Sequence, residues 1–166
     1  MKKTALLVAI LMVFCVAGTF AITGIGLQGG YKLGDGLADA GFTFSTGRYV
    51  MAIDAGIAKD DWTVGITADR WMANPVVAKP LCWYWALGFA ANYQSFDAAA
   101  VTDVFVGLRL VTGFNMFLGQ SKNFELYLQG AYQPGVQIYI KKPADNKAVN
   151  FDYLSFPVNA GFRFWF

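Results

Sequence analysis

Past its first two dozen residues, the chain alternates bulky apolar and smaller or polar side chains. The clearest stretch is 81–93. Leu81, Trp83, Trp85, Leu87, Phe89 and Tyr93 share one parity, and Cys82, Tyr84, Ala86, Gly88, Ala90 and Asn92 share the other. A period of two is the signature of a strand with two unlike faces. The same alternation recurs over 22–31, 40–45, 49–57, 62–71, 103–117, 124–140 and 151–166, which predicts eight strands. Ser45-Thr46-Gly47-Arg48, Ala58-Lys59-Asp60-Asp61 and Gly119-Gln120-Ser121-Lys122 read as turns. The segments 72–80, 94–101 and 141–150 read as connections, and Pro134-Gly135 must break or bulge the seventh strand.

The two faces differ in kind. Tyr49, Met51, Ile53 and Ile57 stand opposite Val50, Ala52, Asp54 and Gly56; Trp62, Val64 and Ile66 stand opposite Thr63, Gly65, Thr67 and Asp69. One face is greasy and bulky, the other small or charged. The interior of an eight-stranded barrel is only wide enough for side chains to fill it. It could not hold all those Trp, Phe and Leu side chains, so the bulky face is expected to point outward. Arg70 breaks the pattern on that face, which places it at an interface.

Composition agrees. Hydrophobic residues make up 56 % of the chain, aromatics 17 % and charged residues only 14 %. Yet beyond the first residues no apolar run reaches the length of a membrane helix. A closed barrel is the other spanning structure that satisfies every backbone group in lipid. The expectation is therefore an all-β fold: an eight-stranded antiparallel up-and-down transmembrane barrel, as one domain over residues 22–166. Tyr31, Tyr49, Trp62, Trp83, Tyr93 and Tyr153 are placed to form interfacial girdles, or reflect ordinary strand propensity.

Residues 1–21 read as a secretory signal peptide. Lys2 and Lys3 precede an apolar run, and Thr19 and Ala21 provide the small residues before a cut after Ala21. An uncleaved anchor is the alternative. A lipoprotein signal at Cys15 is disfavoured by bulky Phe14 before it. Cleavage removes two of the 13 basic residues, which then balance the 11 acidic ones, so no nucleic-acid partner is expected. Cys82 remains as a lone cysteine, without a disulfide partner.

The chain ends Pro157-Val158-Asn159-Ala160-Gly161-Phe162-Arg163-Phe164-Trp165-Phe166. This ending resembles the C-terminal assembly signal of bacterial outer-membrane barrels, with Phe162, Phe164 and Phe166 as its outward aromatics. An ordinary last strand of a soluble sheet is the competing reading. The whole pattern resembles small eight-stranded outer-membrane proteins of the OmpW or OmpX type. That resemblance implies location in the outer membrane, contact with its lipid, and delivery by the barrel-assembly machinery. By analogy with OmpW-like relatives it implies a narrow channel or conduit for small, apolar solutes. The alternative is a non-transporting structural or surface-interaction barrel, OmpX-like; short connecting loops weaken an adhesin role.

Candidate chemistry is confined to the small-residue face. Asp54, Asp69, Arg109, Glu125 and Arg163 fall there near strand centres and are expected to form a polar network in the lumen. Ionised groups in so narrow a space need partners. Such a network either relays protons or gates solute, or fills and rigidifies the lumen. The chain contains no histidine, which removes the commonest general base and zinc ligand. No enzyme activity, cofactor or metal site is expected. Gly24-Ile25-Gly26-Leu27-Gln28-Gly29 matches a dinucleotide-binding fingerprint in letters only, because that motif needs a strand before it and a helix after it. Its glycines are better read as room in a crowded lumen.

Overall fold

The computed structural model describes residues 22–33, 36–58, 61–96, 101–141 and 146–166. The signal-peptide expectation over residues 1–21 lies outside them. Eleven strands are present and, among the described residues, no helix: β1 (Gly24–Leu33), β2 (Leu37–Thr46), β3 (Tyr49–Ala58), β4 (Asp61–Ala73), β5 (Val76–Ala78), β6 (Leu81–Phe96), β7 (Val101–Leu118), β8 (Phe124–Tyr132), β9 (Gly135–Lys141), β10 (Asn146–Asp152) and β11 (Phe156–Trp165).

Neighbouring strands pair antiparallel around a ring: β1, β2, β3, β4, β6, β7, β8 and β11. The ring closes because β11 returns to β1, from Gly24 opposite Trp165 to Leu33 opposite Phe156. At the same end, the Phe166 amide donates to the Thr23 carbonyl at 2.9 Å. This is a closed eight-stranded antiparallel barrel, so no edge of the ring is left to aggregate. Both described chain ends and the turns at 47–48, 74–80 and 119–123 lie at one rim, hereafter the terminal rim. The other connections leave from the opposite rim.

The faces divide as the alternation predicts. Phe42, Ile57, Ile66, Phe89, Val106, Leu108, Leu128 and Phe162 are exposed on the outside. Val50, Ala52, Tyr84, Ala86, Phe105, Val111 and Tyr127 are buried inside. Tyr49 and Trp83 stand at the terminal rim. Trp62 and Tyr93 stand together near the other, ring centroids 5.3 Å apart. Along β3 from Tyr49 to Ile57, the partner of Trp62, a tilted strand rises about 20 Å, close to the height of a lipid-facing apolar band.

The seventh strand breaks at Gln133-Pro134 as expected, dividing into β8 and β9, because proline cannot donate to the ladder. The ladder with β7 nevertheless keeps one register, Leu110 opposite Tyr132 and Gly107 opposite Gly135. Bridging the gap, the Leu108 amide donates to the Pro134 carbonyl at 3.0 Å. The expected polar connection over 141–150 is largely a hairpin instead: β9 pairs with β10 from Asp152 opposite Gly135 to Asn146 opposite Lys141. Finally, β4 runs on to Ala73 through an irregularity near Met72, and the expected 72–80 connection holds the short strand β5.

Closure of the ring rests on the last strand. Deleting Phe166, or changing it to Asp, removes an outward ring and disturbs the pairing with Thr23. Either change should lower the folded, heat-modifiable band seen on gels of cell membranes, and by more than Asn159→Ala.

Candidate functional site: the lumen polar network

Alternation places Asp69 and Arg109 on β4 and β7, Glu125 on β8, Arg163 on β11 and Asp54 on β3, all facing the lumen. The structure joins four of them into two ion pairs. Arg163 meets Glu125 with Nη1 at 3.2 Å from Oε2, the two side chains 1 % and 0 % exposed. Arg109 Nε donates to Asp69 Oδ2 at 3.0 Å.

Glu125 is thoroughly satisfied. Asn115 Nδ2 donates to Oε1 at 2.7 Å and Trp165 Nε1 to Oε2 at 2.8 Å, in addition to Arg163. Charge-assisted bonds of this kind are the strong ones, and a carboxylate with several donors tolerates burial that an unpaired one would not. Arg163 Nε has no hydrogen-bond acceptor. Instead the guanidinium lies over the Tyr127 ring at 3.8 Å from its centroid and 5.8 Å from that of Trp71. Ring faces attract a desolvated cation. Trp71 in turn stacks on Tyr84 at 5.0 Å. Tyr84, Ala86, Val111 and Glu125 are fully withdrawn from solvent. The half of the lumen nearer the terminal rim is therefore a packed layer of aromatic rings around a buried ion pair.

Asp54 joins no arginine directly. It accepts from Gln28 Nε2 at 2.7 Å, and Gln28 Oε1 accepts from Tyr127 at 3.0 Å. This chain of bonds links the packed layer to a polar cup on the far side of the Arg109–Asp69 pair. The cup is a cavity of about 60 Å³ lined by Gln28, Asp39, Asp54, Asn92, Arg109 and Asn159 among others. That volume suits a few water molecules.

Glycine makes the crowding possible. A Cβ on Gly161 would lie 2.6 Å from the Tyr127 hydroxyl, so the ring of Tyr127 lies across it. In the same way Asp54 leans over Gly41, Asp69 over Gly88 and Asn92 over Gly65, each a cross-strand partner. These inward glycines are seats for neighbouring polar side chains, and Gly107 and Gly135 seat the Phe105 ring.

Sequence reasoning named the charges but missed Asp39 and Asn115, which share the inward parity of their strands and could have been found by it; Gln28 falls on the small-residue face, but parity does not reveal its bonds to Asp54 and Tyr127. It also missed a second feature, an apolar notch of about 590 Å³ in the outer wall. Trp83, Trp85, Leu110, Tyr132 and Phe156 rim it, and the small outward residues Thr112 and Gly130 form its floor. The notch lies outside the lumen. Among the described residues, no cluster of three or more His, Cys, Asp or Glu is placed to hold a metal ion.

No family model matches the chain, and no curated protein does. Among solved structures its fold is similar to that of Neisserial surface protein A (NspA), at 13 % identity and a TM-score of 0.44, covering 87 % of this chain and 96 % of that one. It is likewise similar to a major outer membrane protein from Thermus thermophilus, at 12 % identity and a TM-score of 0.44, covering 87 % and 98 %.

Removing one partner of the buried pair strands the other. Glu125→Leu should cost about 3–5 kcal/mol, read as a fall in the urea midpoint of the folded barrel. The double variant Glu125→Leu/Arg163→Met should recover most of that loss, because no buried charge is then left unpaired.

Proposed function

We propose that this chain is an integral outer-membrane barrel with a filled lumen, acting as a structural or surface-interaction element rather than a conduit. The observation that carries this reading is the packed layer around Arg163 and Glu125. A solute moving along the axis would have to displace Tyr84, Tyr127, Trp71 and a buried ion pair whose members are 1 % and 0 % exposed. The polar cup ends against the Arg109–Asp69 pair.

A conduit, the reading drawn by analogy with OmpW-like relatives, needs room along the axis. The inward glycines do not supply it, because neighbouring side chains lie across them. The apolar notch is large enough for a hydrocarbon chain, but it lies in the outer wall and supplies no path through it.

Membrane placement rests on the outer face. Exposed large apolar residues surround the barrel on every strand of the ring, far beyond the patches that a soluble monomer leaves in water. Export through residues 1–21 and recognition of Phe162, Phe164 and Phe166 by the assembly machinery belong to the same proposal. No catalytic role is proposed, since Arg109, Arg163, Asp69 and Glu125 are engaged with one another.

Conductance is the test. Folded protein in planar bilayers should show no reproducible unitary current above the bare-membrane baseline. Steady unitary openings from the wild-type barrel would overturn the filled-lumen reading and restore the conduit.

A further inference from the structure

The described acidic side chains avoid one end of the barrel, whereas basic residues stand at both, Lys32, Lys141 and Lys147 belonging to the opposite end. At the terminal rim stand Arg48, Arg70, Lys79 and Lys122, all exposed. Among the described residues, no Asp or Glu side chain lies on that rim. Asp39, Asp54, Asp69 and Glu125 line the lumen, and Asp61, Asp103 and Asp152 lie toward the opposite end. The four rim cations are not needed as ion-pair partners for folding, because none of them holds a carboxylate among the described residues.

Two of these cations are neighbours. Arg48 ends the β2–β3 turn, and its carbonyl accepts from the Trp71 amide at 2.8 Å. Tyr49 and Arg70 are cross-strand partners on β3 and β4. Arg70 lies on the outer, apolar face with its guanidinium over the Tyr49 ring, 5.9 Å from the centroid. Arginine is a strange residue to put on such a face. It is tolerated where a long side chain can reach polar headgroups. Its planar fork also suits phosphate oxygens, better than a lysine ammonium does.

We propose that Arg48 and Arg70, steadied by Tyr49, form a docking site for the phosphate of an anionic phospholipid in the leaflet that meets the terminal rim. The inference rests on the membrane placement proposed above. Lys79 and Lys122 extend the positive rim and favour the same leaflet electrostatically. Charge complementarity selects an anionic headgroup over a zwitterionic one, since no acidic side chain among the described residues of this rim would engage a choline or an ethanolamine.

Native mass spectrometry tests this on the full-length folded barrel, released from vesicles of phosphatidylglycerol mixed with phosphatidylcholine. The wild type should retain phosphatidylglycerol preferentially. Arg48→Gln/Arg70→Gln should weaken that retention about thirtyfold, as expected for two interfacial cations. Arg48→Lys/Arg70→Lys should keep much of it. Equal retention of both lipids by the wild type, or undiminished phosphatidylglycerol on the glutamine variant, would overturn the proposal while leaving the barrel's placement intact. If the double glutamine variant does not fold, Arg48→Gln alone, in an exposed turn, takes its place, and undiminished phosphatidylglycerol retention there overturns the proposal. A chain that inserts into neither lipid would instead overturn the placement, and this site with it.

Discussion

A guanidinium buried inside a narrow barrel has no water to fall back on, and the architecture of this chain is arranged around that constraint. Arg163 lies between a carboxylate on one side and an aromatic face on the other. Glu125 supplies the countercharge, Asn115 and Trp165 complete the carboxylate's hydrogen bonds, and Tyr127 covers the arginine. These groups come from three neighbouring strands of the ring, β7, β8 and β11. The interaction therefore ties adjacent strands together from inside, where a soluble protein would use hydrophobic packing.

The inverted polarity explains the rest. With the bulky residues outside, the lumen must be filled by what remains, and what remains is polar. Polar side chains are long and need partners, so the backbone beneath them has to lie close. Gly161 under Tyr127, Gly41 under Asp54 and Gly88 under Asp69 supply that space. Wall and core are thus one design seen from two sides: the same alternation that exposes Phe89 seats Gly88 beneath Asp69. The packed layer and the polar cup divide the lumen at the Arg109–Asp69 pair, and this division favours a solid barrel over an open one.

Much of this was legible in residue order. Inward and outward sets along β3, β6 and β7 follow directly from parity, because one face is bulky and the other is not. Arg70 announced itself as an exception, and its position beside Tyr49 near the terminal rim accounts for it. What parity could not supply was partnership. Nothing in the order of residues says that Arg163 meets Glu125 while Asp54 is left to Gln28, since those choices depend on the stagger between strands. The β9–β10 hairpin was also hidden. It lies beyond the closed ring and its segment carries Lys, Pro, Asp and Asn, so the two-face contrast that marks the other strands fades there. The outer notch was invisible for a related reason: it arises where Thr112 and Gly130, small residues on separate strands, come side by side.

The central claim is that the bulky face meets lipid and the polar face fills the core. Phe89 stands outward, 65 % exposed, between the two aromatic ends of the wall. Equilibrium folding of Phe89→Arg into phospholipid vesicles, followed by urea titration, tests the claim most directly. The account predicts a loss of about 2–4 kcal/mol, the usual cost of arginine near the bilayer midplane. Folding as stable as that of the wild type would contradict it.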